Sequence, residues 1–306
     1  MRYIMTFALA SAPALAEVPS VVTDIPPVHA LVAQVMGELG QPELLLARGA
    51  DEHDFQLRPS QAASVAGADL VVWIGPELTP WLDSALMTRP EGAAVLGLLD
   101  APGTFARAYG DPAGGHDHGH DHDHDDHGHA HDGIDPHAWL DPANGRHWLG
   151  LIAADLSRLD PGNAATYAAN ASAAAEQIVA LDAEVAAILA PAKDRPIVTF
   201  HAAYDYFADH YGLALAGSIA LGDAASPGAQ RLKQLRATLE AGGALCIFPE
   251  AQHDPALVTQ MAEGTGVRVG GALDPVGSTL EPGPDAYAAL LRGMAETIAD
   301  CLSEGS

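Results

Sequence analysis

Eight of the fifteen histidines lie in one tract, Gly114–Gly133, which reads GGHDHGHDHDHDDHGHAHDG. They are His116, His118, His120, His122, His124, His127, His129 and His131, with six aspartates interleaved. Neutral imidazole is the commonest metal-binding side chain, so the tract reads as a loose metal-binding segment. Almost nothing in it is apolar, so it has no core to pack and is expected to be a disordered loop. The tract alone does not separate an enzyme from a carrier or a sensor.

Seven histidines lie elsewhere. His53 sits in the loop GADEHDFQLRPS, after a predicted strand. His137 sits in DPHAWLDP, before a predicted helix, and His201 directly follows the strand-like IVTF. Asp274 occupies a matching place in GGALDPVG. In open α/β sheets, ligands bind at the carboxyl ends of the strands. Two such sheets facing each other would bring these four side chains to one cleft. Three imidazoles and one carboxylate make a tetrahedral zinc set. Glu52, beside His53, is a rival for the fourth position and could equally be a solvated loop carboxylate. His253 is an alternative ligand, and Glu250 could orient a ligand imidazole by accepting its second N–H. His29, His147 and His210 read as surface or core-edge residues. Trp73, Trp81, Trp139 and Trp148 read as packing, as do Tyr204, Tyr206 and Phe207.

The elements that must carry these residues alternate. Strands are expected at Ser20–Thr23, Glu43–Leu46, Asp69–Ile74 and Ala94–Leu98, with helices at Val28–Leu39, Ser60–Ala66 and Pro80–Met87. A second set has strands at Ile197–Phe200, Leu213–Ile219, Ala244–Phe248 and Val267–Gly270. Its helices are Ala203–His210, Pro227–Glu240 (capped by Ser226), Pro255–Gly264 and Asp285–Leu302. Such alternation predicts an α/β protein with two parallel-sheet lobes. Asp141–Leu159 reads as a helix, broken by Asp160-Pro161-Gly162-Asn163. Ala164–Leu189 then runs without Gly or Pro and reads as a rigid connector. The expected division is an N-terminal lobe over 17–159, a connector over 160–192 and a C-terminal lobe over 193–306, with the metal site in the interlobe cleft. No close internal sequence repeat stands out.

The formal net charge is −26, from 14 basic against 40 acidic residues. That balance argues against nucleic acid and anionic membranes and favours cationic ligands. Residues 1–16 read as an export signal: Arg2, a short apolar stretch at Ile4–Ala10, and Ala14-Leu15-Ala16 as a small-x-small cleavage site. Cleavage would leave Glu17 first, and no lipobox cysteine follows. Cys246 and Cys301 are the two cysteines. In an oxidising compartment they are expected to pair, with two buried free thiols as the alternative.

The strings GADEHDFQLRPSQ, ADLVVWIGPEL, DPHAWLDP, VTFHAAYDYF, SPGAQRL, CIFPEAQ and LDPVGS together resemble one family. It is the ZnuA-type solute-binding proteins, the zinc-binding periplasmic components of zinc ABC transporters. The resemblance spans nearly the whole chain after residue 16. It implies His53, His137 and His201 as zinc ligands, the fourth position at Asp274, and a disulfide between Cys246 and Cys301. It implies a cognate permease in the inner membrane, zinc as the transported ligand, a periplasmic location and a monomer. The tract would then be a weaker accessory site, charged from solution or by a periplasmic metallochaperone. Manganese-binding relatives tend to pair two histidines with two carboxylates, so a third imidazole favours zinc. A zinc hydrolase is the main rival, but the chain has neither Gly-x-Ser-x-Gly nor HExxH. A zinc buffer without a transporter and an adhesin-like use of the fold are further alternatives.

Overall fold

The computed structural model describes residues 18–109, 133–220 and 227–303. The expected signal segment 1–16, the eight tract histidines from His116 to His131, and Ser226 lie outside the described residues.

Two four-stranded parallel sheets organise the chain. The first is built from β1 (Val21–Thr23), β2 (Glu43–Leu44), β3 (Leu70–Trp73) and β4 (Ala94–Gly97), in the order β2-β1-β3-β4. The second is built from β5 (Pro196–Thr199), β6 (Ala214–Ser218), β7 (Cys246–Ile247) and β8 (Arg268–Val269), in the order β6-β5-β7-β8. The two orders are the same pattern, so the lobes repeat a topology that the sequence does not display. Apolar runs such as LVVW in β3, buried at all four positions, are what a parallel sheet covered on both faces requires.

Helices α1 (Pro26–Met36), α2 (Pro59–Gly67) and α3 (Pro80–Leu86) accompany the first sheet. Each begins on proline, whose fixed φ suits the first helical turn and whose missing N–H costs nothing there. This explains why α1 starts two residues before the expected Val28. It ends at Gly37, whose φ of 56° lies in the region that favours glycine, and a 3₁₀ turn follows over Gly37–Leu39. The second sheet carries α6 (Asp205–Tyr211), α7 (Ala229–Glu240), α8 (Ala256–Ala262) and α9 (Ala286–Ser303). Its strands β7 and β8 hold two residues each, shorter than expected.

Between the sheets run α4 (Pro142–Leu159) and α5 (Ala164–Leu189). At 1.5 Å per residue, the 26 residues of α5 span about 39 Å. Its buried residues Tyr167, Ala171, Ala174, Ile178, Leu181, Val185 and Leu189 recur every three or four positions. That stripe packs on α1, α4 and α9, so the connector is laid down along its length as part of the core. Cys246 of β7 and Cys301 of α9 form a disulfide. Closing a loop of 55 residues stabilises by about 4 kcal/mol in the chain-entropy model. It ties the last helix to the second sheet.

Candidate metal centre

Three chain segments meet where the carboxyl ends of the two sheets converge. The loop after β2 brings Glu52 and His53, the segment before α4 brings His137, and His201 stands two residues past the end of β5. Glu52, His53, His137 and His201 each offer a ligand atom, and these atoms lie within 4.8 Å of one another. Among the described residues this is the group of His, Cys, Asp and Glu close enough to hold one ion. His137 is fully buried, Glu52 and His201 are nearly so, and His53 is half-buried.

The imidazoles are oriented from behind. The Nδ1 of His137 lies 2.7 Å from Asp135 Oδ1, and the Nδ1 of His201 lies 2.7 Å from Glu250 Oε2. A carboxylate accepts but does not donate, so each Nδ1 carries its proton and each Nε2 presents a lone pair. Those two Nε2 atoms stand 3.3 Å apart. Two facing lone pairs at that distance repel unless a cation lies between them. A tetrahedral zinc with Zn–N of 2.0–2.1 Å separates its ligand nitrogens by about 3.3 Å.

The supporting carboxylates are themselves held. Asp135 Oδ1 also accepts from the His137 backbone N–H at 3.0 Å. The Tyr206 hydroxyl donates to the Asp135 carbonyl at 3.0 Å and accepts from the Arg107 N–H at 2.9 Å. The Tyr204 hydroxyl donates to Glu250 Oε1 at 2.9 Å. Burial works against charge on Glu250, but His201 and Tyr204 outweigh it and hold its carboxyl below the usual range. Burial and the neighbouring Glu250 push the Tyr204 hydroxyl well up. On the other side, Trp81 Nε1 donates to the Glu52 carbonyl at 2.7 Å, and Asp51 Oδ1 accepts from the His53 N–H at 2.8 Å. Burial pushes the Glu52 carboxyl up to about 7, against the opposing pull of His53 and His201.

Asp274, expected at the fourth position, lies outside the close group. Its two carboxylate oxygens accept four bonds, from Gln252 Nε2, Ser278 N, Thr279 N and Thr279 Oγ1. Glu52, the rival carboxylate, stands beside His53 instead, with Oε1 3.7 Å from Nε2. His253 is also outside the group. It stacks on Phe200 at 4.3 Å between centroids, with Nε2 3.7 Å from Glu250. Asp135 was missed, although its place two residues before His137 lets it turn back on the ring. Tyr204 and Tyr206 do more than pack, because the first hydroxyl braces the Glu250 carboxylate and the second the backbone carbonyl of Asp135. Trp139 and Trp148 are fully buried, as read, whereas Trp81 pins the Glu52 loop.

Two α/β lobes, a long helix laid between them, and three imidazoles with a carboxylate at their junction define a metal-binding solute receptor. The chain belongs to the family described as zinc-uptake complex component A, periplasmic, whose model matches residues 21–301. A high-affinity zinc uptake system protein ZnuA of Paracoccus denitrificans is 53% identical, over 96% of this chain and 94% of that protein. The protein of the same name in Brucella suis is 40% identical, over 94% and 93%. A crystal structure of a ZnuA deletion mutant with zinc bound superposes with a TM-score of 0.73 at 26% identity, covering 92% of this chain and 98% of that one.

Proposed function

We propose that the protein is the extracytoplasmic zinc-capturing component of a high-affinity zinc ABC importer. The observation that carries this reading is the pair of carboxylate-locked imidazoles whose Nε2 atoms stand 3.3 Å apart. His53, His137, His201 and Glu52 supply three nitrogens and one oxygen, a donor set that suits zinc. The ion is cargo and no chemistry is done on it, so the protein acts as a carrier and not as an enzyme. It passes the ion to a permease of the inner membrane. Protonated imidazole cannot coordinate, so capture weakens with acidity. A connector packed along its whole length permits modest adjustment of the lobes rather than wide hinge opening.

The names of the relatives and the match at 21–301 support this reading. Residues 1–16 serve as the export signal, and the mature chain works in the periplasm as a monomer. Its units are the lobes 17–159 and 193–306, joined by 160–192. The eight tract histidines form a weaker accessory site that raises local zinc near the cleft, charged from solution or by a metallochaperone.

The test is zinc titration calorimetry at neutral pH on the chain without 1–16, beside a deletion of 115–132 and His201→Ala. One tight site should survive the deletion and weaken sharply in His201→Ala. Tight binding that vanishes with the loop and ignores His201 would instead make the protein a His-tract zinc buffer.

A further inference from the structure

We propose that Asp274 is a positioning residue for zinc capture: it knots residues 274–281 into a clasp that holds the ligand-bearing segments together without touching the ion. The inference rests on the zinc-capture reading of the cleft. Oδ1 of Asp274 accepts from Gln252 Nε2 at 2.7 Å and Ser278 N at 3.0 Å. Oδ2 accepts from Thr279 N at 2.9 Å and Thr279 Oγ1 at 2.6 Å. A carboxylate has about four lone-pair sites, and four donors fill them. To bind an ion it would have to release one.

The knotted loop turns its carbonyls outward onto the first lobe. Ser278 O accepts from Gly49 N at 3.0 Å, and Thr279 O accepts from Arg48 Nη2 at 2.9 Å. Gly49 lies three residues before Glu52. Pro275 O accepts from Trp139 Nε1 at 2.8 Å, and Trp139 lies two residues after His137. One loop of the second lobe therefore grips both first-lobe segments that carry ligands.

It also reaches the third segment. Ala251 N donates to Leu273 O at 2.8 Å and Leu273 N to Pro249 O at 2.9 Å, flanking the Glu250 that orients His201. Gln252 donates to Asp274 and to Ser278 Oγ. Removing the Asp274 carboxylate leaves four donors without their acceptor and frees the loop, so all three segments lose a common tie.

The experiment compares wild type, Asp274→Ala, Thr279→Val and Glu52→Ala. Zinc affinity is read by chelator competition, the ligand shell by the visible absorption of the Co2+-loaded protein, and the clasp by hydrogen exchange at the Gly49 amide without metal. Asp274→Ala should bind zinc about tenfold more weakly, the scale for losing a supporting partner. Its Co2+ spectrum should match wild type, and Gly49 should lose protection. Thr279→Val should do the same to a smaller degree, and adding it to Asp274→Ala should cost nothing more. Should Asp274→Ala fail to fold, Thr279→Val carries the same three readouts. An Asp274→Ala spectrum shifted like that of Glu52→Ala would make Asp274 a ligand and overturn the clasp. So would unchanged affinity, or unchanged Gly49 protection. A wild type that binds neither Co2+ nor Zn2+ while Gly49 is protected would overturn the capture reading instead.

Discussion

Glu52 and Asp274 are carboxylates at the same cleft, one on the loop after β2 and the other on the loop after β8. Their surroundings divide them. Asp274 is saturated by four donors from Gln252, Ser278 and Thr279. Glu52 is buried beside two imidazoles, and burial lifts its carboxyl to about 7. A saturated carboxylate builds structure, because its charge is already spent on protein donors. A buried carboxylate with its charge penalised gains most when a cation arrives, which is the behaviour of a ligand. The contrast teaches that the donors around an acid, more than its position at a strand end, decide whether it has capacity left for a cation.

The largest expected effect falls on the ligand side of this comparison. Four-ligand zinc sites are worth roughly 10–16 kcal/mol near pH 7, so losing one imidazole removes on the order of 3–4 kcal/mol. His201→Ala should thus bind zinc about 10²–10³-fold more weakly by competition titration. A loss of less than about tenfold would show that the ion does not rest on His201.

Glu52→Gln sharpens the contrast through stability. A carboxyl whose folded value is raised from 4.5 to about 7 adds its full stability below the unfolded value and loses it as pH rises through the folded one. The metal-free variant should therefore gain up to about 2–3 kcal/mol over wild type at pH 8 and little at pH 4, while binding zinc less tightly. Urea melts at the two pH values check it. Equal melts at both would place Glu52 in a wetter setting than the structure shows.

Asp135→Asn tests the orienting shell. The amide can accept from its neighbours but no longer fixes the His137 tautomer by charge, and affinity should drop about 10–100-fold with the ligand set intact. Nitrogen chemical shifts of the His137 ring report the tautomer directly.

The smallest effect concerns the junction of lobes and connector. His210 of α6 reaches Asp141 at the start of α4 (3.1 Å) and Asp182 of α5 (2.8 Å). The hydrogen bond to Asp141 raises its pKa, burial opposes that, and Asp182 adds to the rise. Its contribution is present below the unfolded value of 6.5 and is lost as pH rises through the higher folded one. His210→Gln should destabilise most near pH 6, by under about 1 kcal/mol, and hardly at all well above neutrality, as read from melts across pH. A constant difference across pH would remove the charged link.

Much of this was legible in residues. His137 and His201 stand close to a helix start and a strand end with clear hydrophobic patterning, and His53 stands in the loop that joins β2 to α2. The connector shows in a run without Gly or Pro. Which carboxylate stands closest to them was not legible, because Glu52 is buried and its loop is held by Trp81, contacts set by tertiary packing and not by local pattern. For Asp274 there was a local hint, since Ser278 and Thr279 follow at four and five residues and can fold back on it. Gln252 could not be foreseen as its partner. The matched strand orders of the two lobes were hidden, because hydrogen-bonded neighbours are set by tertiary pairing and not by local pattern.

The most direct measurement is a crystal structure of the zinc-loaded protein with anomalous data at the zinc edge. The account predicts one cleft ion held by Nε2 of His137 and His201, a ring nitrogen of His53 and a carboxylate oxygen of Glu52, at about 2.0–2.2 Å, with Asp274 still bound to Ser278 and Thr279. An ion coordinated by Asp274, or a cleft without one, would contradict it.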